Sequence, residues 1–582
     1  MDTSGTAKID ITKVPFSKYG SNLALSFNAA EQFFTLHYAR RPFGKDLLFK
    51  LTFLQPIDSA ALVITSFPYM VDIGGLTGHA QIHLRGDDAI VIDSHGLDMQ
   101  LKMLDGSVSW GYTSENYPTA YGIQIGENRF RMIRVDARIY AAIDVHRGDA
   151  TSNGPFEKNS QGGEVDRGTI LEIRCAQQSA LVMLQVSWEE AILDYVMPNP
   201  AREIETVRRH WERFFQQIPA VPQDRQEIAF MSWYNLWSSF VRAEDSFKYD
   251  AMLMSKNYMC SVWSWDHCFN ALALAHADKE KALQQYLLPF EVQADSGVLP
   301  DYFNPGQEIV WGVTKPPVHG WCLDKLLDGL AVDRDTLQKL YIGLKKWTNW
   351  WMIYRDSDGD GIPEYPQGCD SGQDNATIYD IGYFIEAPDL SAFLILQMHT
   401  LARLSGLLED KESAAEWRTR ADELYTRLLE HSWDGERFIA KLSRSHKYDP
   451  QATALANLMP IVLGEHLDPG IMAKLVSALE RDFVTENGIA TEALSSARYE
   501  SDSYWRGPIW APTTYIIVDG LARGGYKSLA KKIACNFCNM IRDKARGNYE
   551  NFDALTGMGL RSPGYSWTAS VHLLLIHEYL ME

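Results

Sequence analysis

The sequence predicts a mainly α protein: an (α/α)6 barrel preceded by an N-terminal antiparallel β-sandwich domain. Three observations predict it. Up to about residue 195 the chain consists of short alternating apolar runs cut by Gly, Asp, Asn and Ser clusters. Beyond it, apolar residues recur at helical spacing in segment after segment. No short period repeats, which argues against a repeat solenoid.

In the first region, Arg134 to Tyr140 (RVDARIY) alternates, which predicts a strand with Val135, Ala137 and Ile139 on one side. The run LEIRC at 171–175 does the same, and LVMLQVSW at 181–188 reads as a mostly buried strand. The clusters GENR, HRGDATSNGP and SQGGEVDRG supply the turn spacing of an all-β sandwich. Residues 1–195 are therefore expected to form this domain. AREIETVRRHWERFFQQI at 201–218 is helical and IPAVPQ breaks it, so 196–224 reads as a helical linker.

The barrel domain is expected over 225–582. Within 337–351, Leu337, Leu340, Tyr341, Leu344, Trp347, Trp350 and Trp351 fall three and four apart, on one face of a helix. Similar periodicity runs through 226–243, 389–405, 411–431, 452–463, 508–523, 526–543 and 566–580. About a dozen helices are too many for a four-helix bundle, whereas two concentric rings of antiparallel helices accommodate them.

The bulk composition excludes several functions. A formal charge of −20 leaves no dominant basic patch for nucleic acid or anionic lipid. The start, MDTSGTAKIDITKV, has no apolar core of a secretory signal, and no uninterrupted apolar run of about 18 residues predicts a membrane span. The seven Cys form no paired framework, which suits reduced thiols and a cytoplasmic setting. Cys535 and Cys538 form a CxxC on a helix with no second pair, and read as a buried small-residue face. His267 has no Ser or Cys nucleophile motif beside it, and neither a P-loop nor a strand-linked GxGxxG predicts a nucleotide cofactor. Aromatic residues reach 12%, with 17 Trp and 27 Tyr; flat rings of this kind stack on sugar faces, although a large helical core also uses them as filler.

The unusual chemistry lies in loops between helices. SVWSWDHCFN at 261–270 carries Trp263, Trp265, Asp266 and His267; DYFNPGQEIVWGVTKPPVHGW follows at 301–321. The stretch 355–380 is crowded with Asp and contains DSGQDN; SYWRGPIW at 503–510 and NYENFDALTG at 548–557 come last. DSDGDG at 356–361 imitates the start of an EF-hand loop, and Glu364 falls at position 9. Position 12 is Gln367, which cannot supply the bidentate carboxylate, and no paired helices surround it. A hydrogen-bonded Asp turn is the simpler reading, with a structural calcium ion on Asp356, Asp358, Asp360 and Glu364 as the alternative.

The order WSWD, DSGQDN, YWRGPIW, YENFDALTG and YSWTAS, over roughly 225–582, resembles glycoside hydrolase family 63, a group related to the trehalases and glucoamylases. The resemblance implies an α-glucosidase-like enzyme that inverts the anomeric centre of a terminal α-glucosyl residue on a small carbohydrate, with no cofactor required. It implies that Asp374 is the general acid and Glu550 the general base. It also implies that Trp263, Trp265 and Asp266 hold the sugar, that Tyr504, Trp505, Arg506 and Gly507 line the same pocket with Trp567, and that Lys315, Trp321 and Asp370 also bind substrate. Asp370 occupies a position where Glu often opens the acid motif, a shorter arm. Physical logic is independent of the likeness: glycosidic cleavage needs one carboxyl to protonate a poor leaving oxygen and another to activate water on the opposite face. Two other readings are a glycoside phosphorylase, in which phosphate replaces the water, and a non-catalytic sugar-binding protein of the same fold. Within the hydrolase reading, a glucosyl- or mannosylglycerate is an alternative substrate.

Overall fold

The computed structural model describes residues 7–40, 46–54, 61–104, 119–153, 169–188, 196–306 and 308–581. The predicted SQGGEVDRG turn, the last two residues of HRGDATSNGP, the first six residues of the chain and the stretch 189–195 lie outside the described residues. The chain divides into two compact units. One comprises Met1–Ile218, Tyr234–Ser261 and Asn304–Glu308, the other Pro219–Trp233, Val262–Phe303 and Ile309–Glu582.

The first unit contains two antiparallel sheets. In spatial order, the six-stranded sheet runs Leu23–Asn28, Phe33–Tyr38, Leu47–Leu54, Asp98–Met103, Ile170–Arg174 and Asp149–Ser152. The eight-stranded sheet runs Val63–Phe67, Met70–Gly74, His79–Arg85, Ala89–His95, Ser179–Ser187, Ile139–Arg147, Arg129–Arg134 and Ala120–Gly126. The central pair of this sheet buries Ala89–Ile92 and Ala180–Leu184 without interruption, where a sheet wet on one face would alternate. Helix Pro200–Phe215 packs on the neighbouring strand His79–Arg85, with Glu203 Oε2 2.8 Å from His83 Nε2. The alternation of RVDARIY misleads. Arg134 ends one strand and Ile139 begins the next; between them the chain turns, with Arg138 N–H donating to the Val135 carbonyl and Val135 half exposed. Arg138 adopts φ +50°, a turn geometry that an apolar–polar pattern does not encode.

In the second unit, six segments pack each on the next and the last on the first: Asp266–Leu274, His319–Gly329, Pro388–Leu407, Leu455–His466, Ala511–Arg523 and Ser566–Tyr579. This closed inner ring is the (α/α)6 barrel. Lys279–Glu291, Arg334–Tyr354, Lys411–Ser432, Pro469–Asp482 and Lys527–Met540 pack outside it, and Gln226–Ser238 places Ser232 Oγ 2.9 Å from His572 Nδ1 of the last inner helix. Burial separates the rings as expected. Outer Lys411–Ser432 buries Ala414, Trp417, Ala421, Leu424 and Leu428, one stripe; inner Asp266–Leu274 buries all nine residues. Pro388–Leu407 is long and apolar enough to cross a bilayer, but it is an inner-ring helix buried on nearly every side. The predicted helix over 452–463 is instead 3₁₀ structure at Leu455–His466, because Pro460 offers no amide to an α-helical ladder and Gly464 breaks it at φ +57°. All seven Cys are free.

Candidate functional site

Three of the inner helices carry candidate site residues at or beside their first positions. Asp266 opens its helix, Trp510 caps Ala511–Arg523, and Trp567 is the second residue of Ser566–Tyr579. A helix N-terminus presents unpaired amides and partial positive charge, so it suits carboxylates and ligand oxygens.

Glu550 sits in the strand Tyr549–Phe552 of a hairpin with Gly559–Pro563, 5% exposed. Two phenols fix it: Tyr504 Oη donates to Oε1 at 3.2 Å and Tyr565 Oη to Oε2 at 3.1 Å. Burial pushes its carboxyl above the ordinary Glu range, with the charge of Asp374 adding to the push; the phenols and Arg561 pull against it. Tyr504 reaches Glu550 from a strained backbone, φ +60°, which is uncommon for an aromatic residue. The strain is held from both sides: Trp510 Nε1 donates to the Tyr504 carbonyl (2.9 Å), and Trp505 N–H donates to Asn375 Oδ1 (2.8 Å).

Asp374 lies in the turn between Gly368–Ser371 and Thr377–Ile381, half-buried and accepting no hydrogen bond among the described residues. Its charge acts on Glu550, Tyr504, Lys315 and Asp266, which places it close to all four. Gly372, at φ +70°, turns this loop against Trp265, where a Cβ would stand 2.8 Å from the indole. Beside the acid, Asn375 clamps the YWRGP run, since its amide also donates to the Ser503 carbonyl (3.1 Å). Arg506 Nε donates to the Asn375 carbonyl (2.8 Å), and its guanidinium pairs with Asp380. Gly507 is required by crowding, because a Cβ would stand 2.3 Å from the Glu500 carbonyl. Asn375→Ala removes two hydrogen bonds between the loops, and should cost about 1–3 kcal/mol of stability together with a fall in kcat. Thermal unfolding and steady-state rates check this; an unchanged kcat would mean that Asn375 does not position the acid loop.

Asp266 is 1% exposed, and neither carboxylate oxygen has a hydrogen-bond partner among the described residues. Burial raises its carboxyl well above the usual range, against the pull of Lys315. Buried polar groups are nearly always paired, so two vacant acceptors at a pocket mark a place for ligand hydroxyls. Trp567 Nε1 is likewise a buried donor with no partner among the described residues. Its ring stands edge-on to Trp265 (5.7 Å) and Trp510 (5.5 Å), and Trp505 stacks on Trp510 at 3.9 Å. Trp263 lies against Tyr302 at 5.1 Å. Lys315 donates to the Cys369 carbonyl (2.8 Å) and pairs with Asp301 (3.3 Å); burial lowers its pKa, but Asp301 and Asp374 more than offset this.

Other expected residues are committed elsewhere. Asp370 accepts from the Thr314 amide (3.1 Å) and hydroxyl (2.8 Å), which ties the acid loop to the 314–315 segment. Trp321 donates its indole N–H to Asp519 (2.7 Å). In the acidic loop, Asp356 accepts from the Gly359 and Gly361 amides and Asp360 from the Ile362 amide, the bonds of an Asp turn. Glu364 accepts from Ser357 Oγ at 3.0 Å. Sequence reasoning passed over Tyr565, although YSWTAS contained it, as well as Asn375 and Asp389. Asp389, fully buried at the start of an inner helix, is pushed by burial to about 7.

A hydroxyl-seeking carboxylate, a phenol-clamped carboxylate and a half-buried one, walled by indoles, suit the cleavage of a bond between sugars or between a sugar and a small alcohol. That chemistry defines a glycoside hydrolase. All these residues fall within 259–568, the stretch that matches the family model for the "Mannosylglycerate hydrolase MGH1-like glycoside hydrolase domain". The chain belongs to this family, within the family 63 group of glycoside hydrolases. It is similar to mannosylglycerate hydrolase MGH1 of Selaginella moellendorffii, 23% identical over 394 residues, 53% of this chain and 79% of that protein. Among solved structures it resembles a bacterial glucoamylase complexed with acarbose, with TM-score 0.64 and 12% identity over 98% of this chain and 94% of that one. It also resembles the family 63 mannosylglycerate hydrolase from Thermus thermophilus in complex with glucose, with TM-score 0.51 and 19% identity over 60% of this chain and 99% of that one. The phosphorylase and non-catalytic readings give way to hydrolysis.

Proposed function

We propose that the enzyme hydrolyses a small α-hexosyl glycerate with inversion, Asp374 protonating the glycosidic oxygen and Glu550 taking a proton from the attacking water. The observation that carries this reading is the fixing of Glu550. A base that activates water must be held in one orientation and kept from bulk solvent, and the Tyr504 and Tyr565 hydroxyls do both. Burial lifts its proton affinity, which makes it a better base as long as it is ionised. Asp266 and the Trp265, Trp505 and Trp567 rings would hold the non-reducing sugar, the carboxylate by its hydroxyls and the indoles by its faces.

Mannosylglycerate is the first substrate to test, on the likeness to MGH1, and glucosylglycerate the second. A terminal α-glucosyl residue on a short oligosaccharide is the other reading, favoured by the family 63 resemblance. A panel of these glycosides, with and without phosphate, distinguishes them. NMR of the first-formed anomer tests inversion: a β-hexose is expected from an α-glycoside, and an α product would overturn the assignment of Glu550 as base.

Tyr565→Phe provides a pH test. The lost hydroxyl had favoured the charged form of Glu550, so its pKa rises further and the acidic limb of kcat/KM moves to higher pH. A limb that stays in place would mean that another group controls it.

A further inference from the structure

We propose that His431, His446, Glu386 and Asp360 form a zinc site that anchors the root of the acid-bearing loop. The four residues come from separate segments. Asp360 lies in the acidic turn, Glu386 in the short strand Ile385–Glu386, His431 in the last turn of Lys411–Ser432, and His446 just after the strand Lys441–Leu442 that pairs with Ile385–Glu386. One ligand atom from each lies within 4.8 Å of all the others. His446 Nε2 is 3.6 Å from Asp360 Oδ2 and 3.9 Å from Glu386 Oε2, and His431 Nε2 is 2.8 Å from Glu386 Oε2. Tetrahedral coordination with bonds of about 2.0 Å sets ligand atoms about 3.3 Å apart, close to these values.

The second observation is Glu386 itself. It is fully buried, and neither of its oxygens accepts a hydrogen bond among the described residues. His431 Nε2 lies 2.8 Å from it and is also buried, at ion-pair distance but without a hydrogen bond, and His431 Nδ1 is 3.8 Å from Asp360 Oδ2. A zinc-bound imidazole is neutral, so the carboxylates of Asp360 and Glu386 would match the charge of a divalent cation. The donor set of two imidazoles and two carboxylates suits a borderline ion such as zinc, whereas calcium takes oxygen ligands; the adjoining all-carboxylate group Asp356, Asp358 and Asp360 shares Asp360 with this site, and His446 Nε2 also lies 3.4 Å from Asp358 Oδ2.

The position gives the ion a task. Ile385 pairs with Tyr365, and the Phe384 amide donates to the Pro366 carbonyl, so the strand bearing Glu386 holds the chain just before the acid loop begins at Gly368. Zinc would tie this strand to the outer helix and to the acidic turn.

The test uses the full chain, purified without a histidine tag, with metal content measured by mass spectrometry and unfolding followed after chelation and after addition of zinc or calcium. The wild type is expected to hold about one zinc per chain, to lose thermal stability on chelation and to regain it with zinc. His446→Ala, at a partly exposed position, removes a direct ligand and should lose most of its zinc and the response to chelation. Glu386→Gln should behave likewise, and Asp356→Asn should keep its zinc. A wild type that takes up no zinc and gains no stability from it overturns the proposal, as does a His446→Ala variant that binds zinc normally. Stabilisation by calcium alone, abolished by Asp356→Asn, would also overturn it and assign the cation to the acidic turn.

Discussion

Asp374→Asn lowers kcat on a hexosyl glycerate by about 10³-fold, because an alkoxide leaving group departs only with a proton and general acid catalysis supplies about 10²- to 10⁴-fold. The same variant keeps most of its rate on the corresponding α-glycosyl fluoride, whose leaving group needs no proton. Glu550→Gln loses activity on both substrates, since water must be activated whichever group departs. The pair of variants and the pair of substrates thus separate acid from base. An Asp374→Asn variant equally impaired on the fluoride would remove the acid from that position, and an active Glu550→Gln would remove the base from the other. Neither variant should unfold the chain. Asp374 carries no hydrogen bond among the described residues, and glutamine can still accept from a phenol at Glu550.

Asp266→Asn is expected to divide function from stability. Its two vacant acceptors predict charge-assisted bonds to sugar hydroxyls, worth about 1.5–3 kcal/mol each, so kcat/KM should fall about 10²- to 10³-fold. Stability should move the other way. Burial raises the folded carboxyl above its unfolded value, so the folded state binds the proton more tightly. The stability this confers is complete below the unfolded pKa of about 3.9, and is lost as pH rises through the folded value. Above that value the wild type carries an ionised, buried carboxylate, and asparagine does not. The variant's unfolding temperature should therefore exceed that of the wild type near neutral pH, with the difference closing below about pH 4. A variant less stable at pH 7 would show that Asp266 is paired in the folded protein, and that its acceptors do not wait for a ligand.

Individual elements show how far the sequence could be read. Periodicity located Arg334–Tyr354, Pro388–Leu407, Lys411–Ser432 and Ser566–Tyr579 within a few residues, because a helix records its buried stripe every three to four positions. It failed at RVDARIY, where a hairpin turn reproduced the alternation of a strand, and at 455–466, where full burial gave an apolar run with no face to distinguish α from 3₁₀. In the site, local pattern marks polar, aromatic loops between apolar helices, and it is the resemblance to family 63 that singles out Glu550, Asp374 and Asp266 within them. It assigned Arg506 and Asp370 to the pocket wall, whereas their side chains bind the acid loop to its neighbours.

Residue pattern alone is enough to show a β-rich first region, a helical second one, loops crowded with carboxylates and indoles, and no nucleotide motif. These are local properties: they depend on residue type and on spacing over one or two turns. The folded chain adds that six inner segments close into a ring, that Tyr504 and Tyr565 meet on one carboxylate, and that His431 and His446 lie beside Glu386 and Asp360. Several of those contacts, such as Tyr504 with Glu550 and His446 with Asp360, join residues far apart along the chain, and all depend on burial and side-chain geometry that residue spacing does not encode.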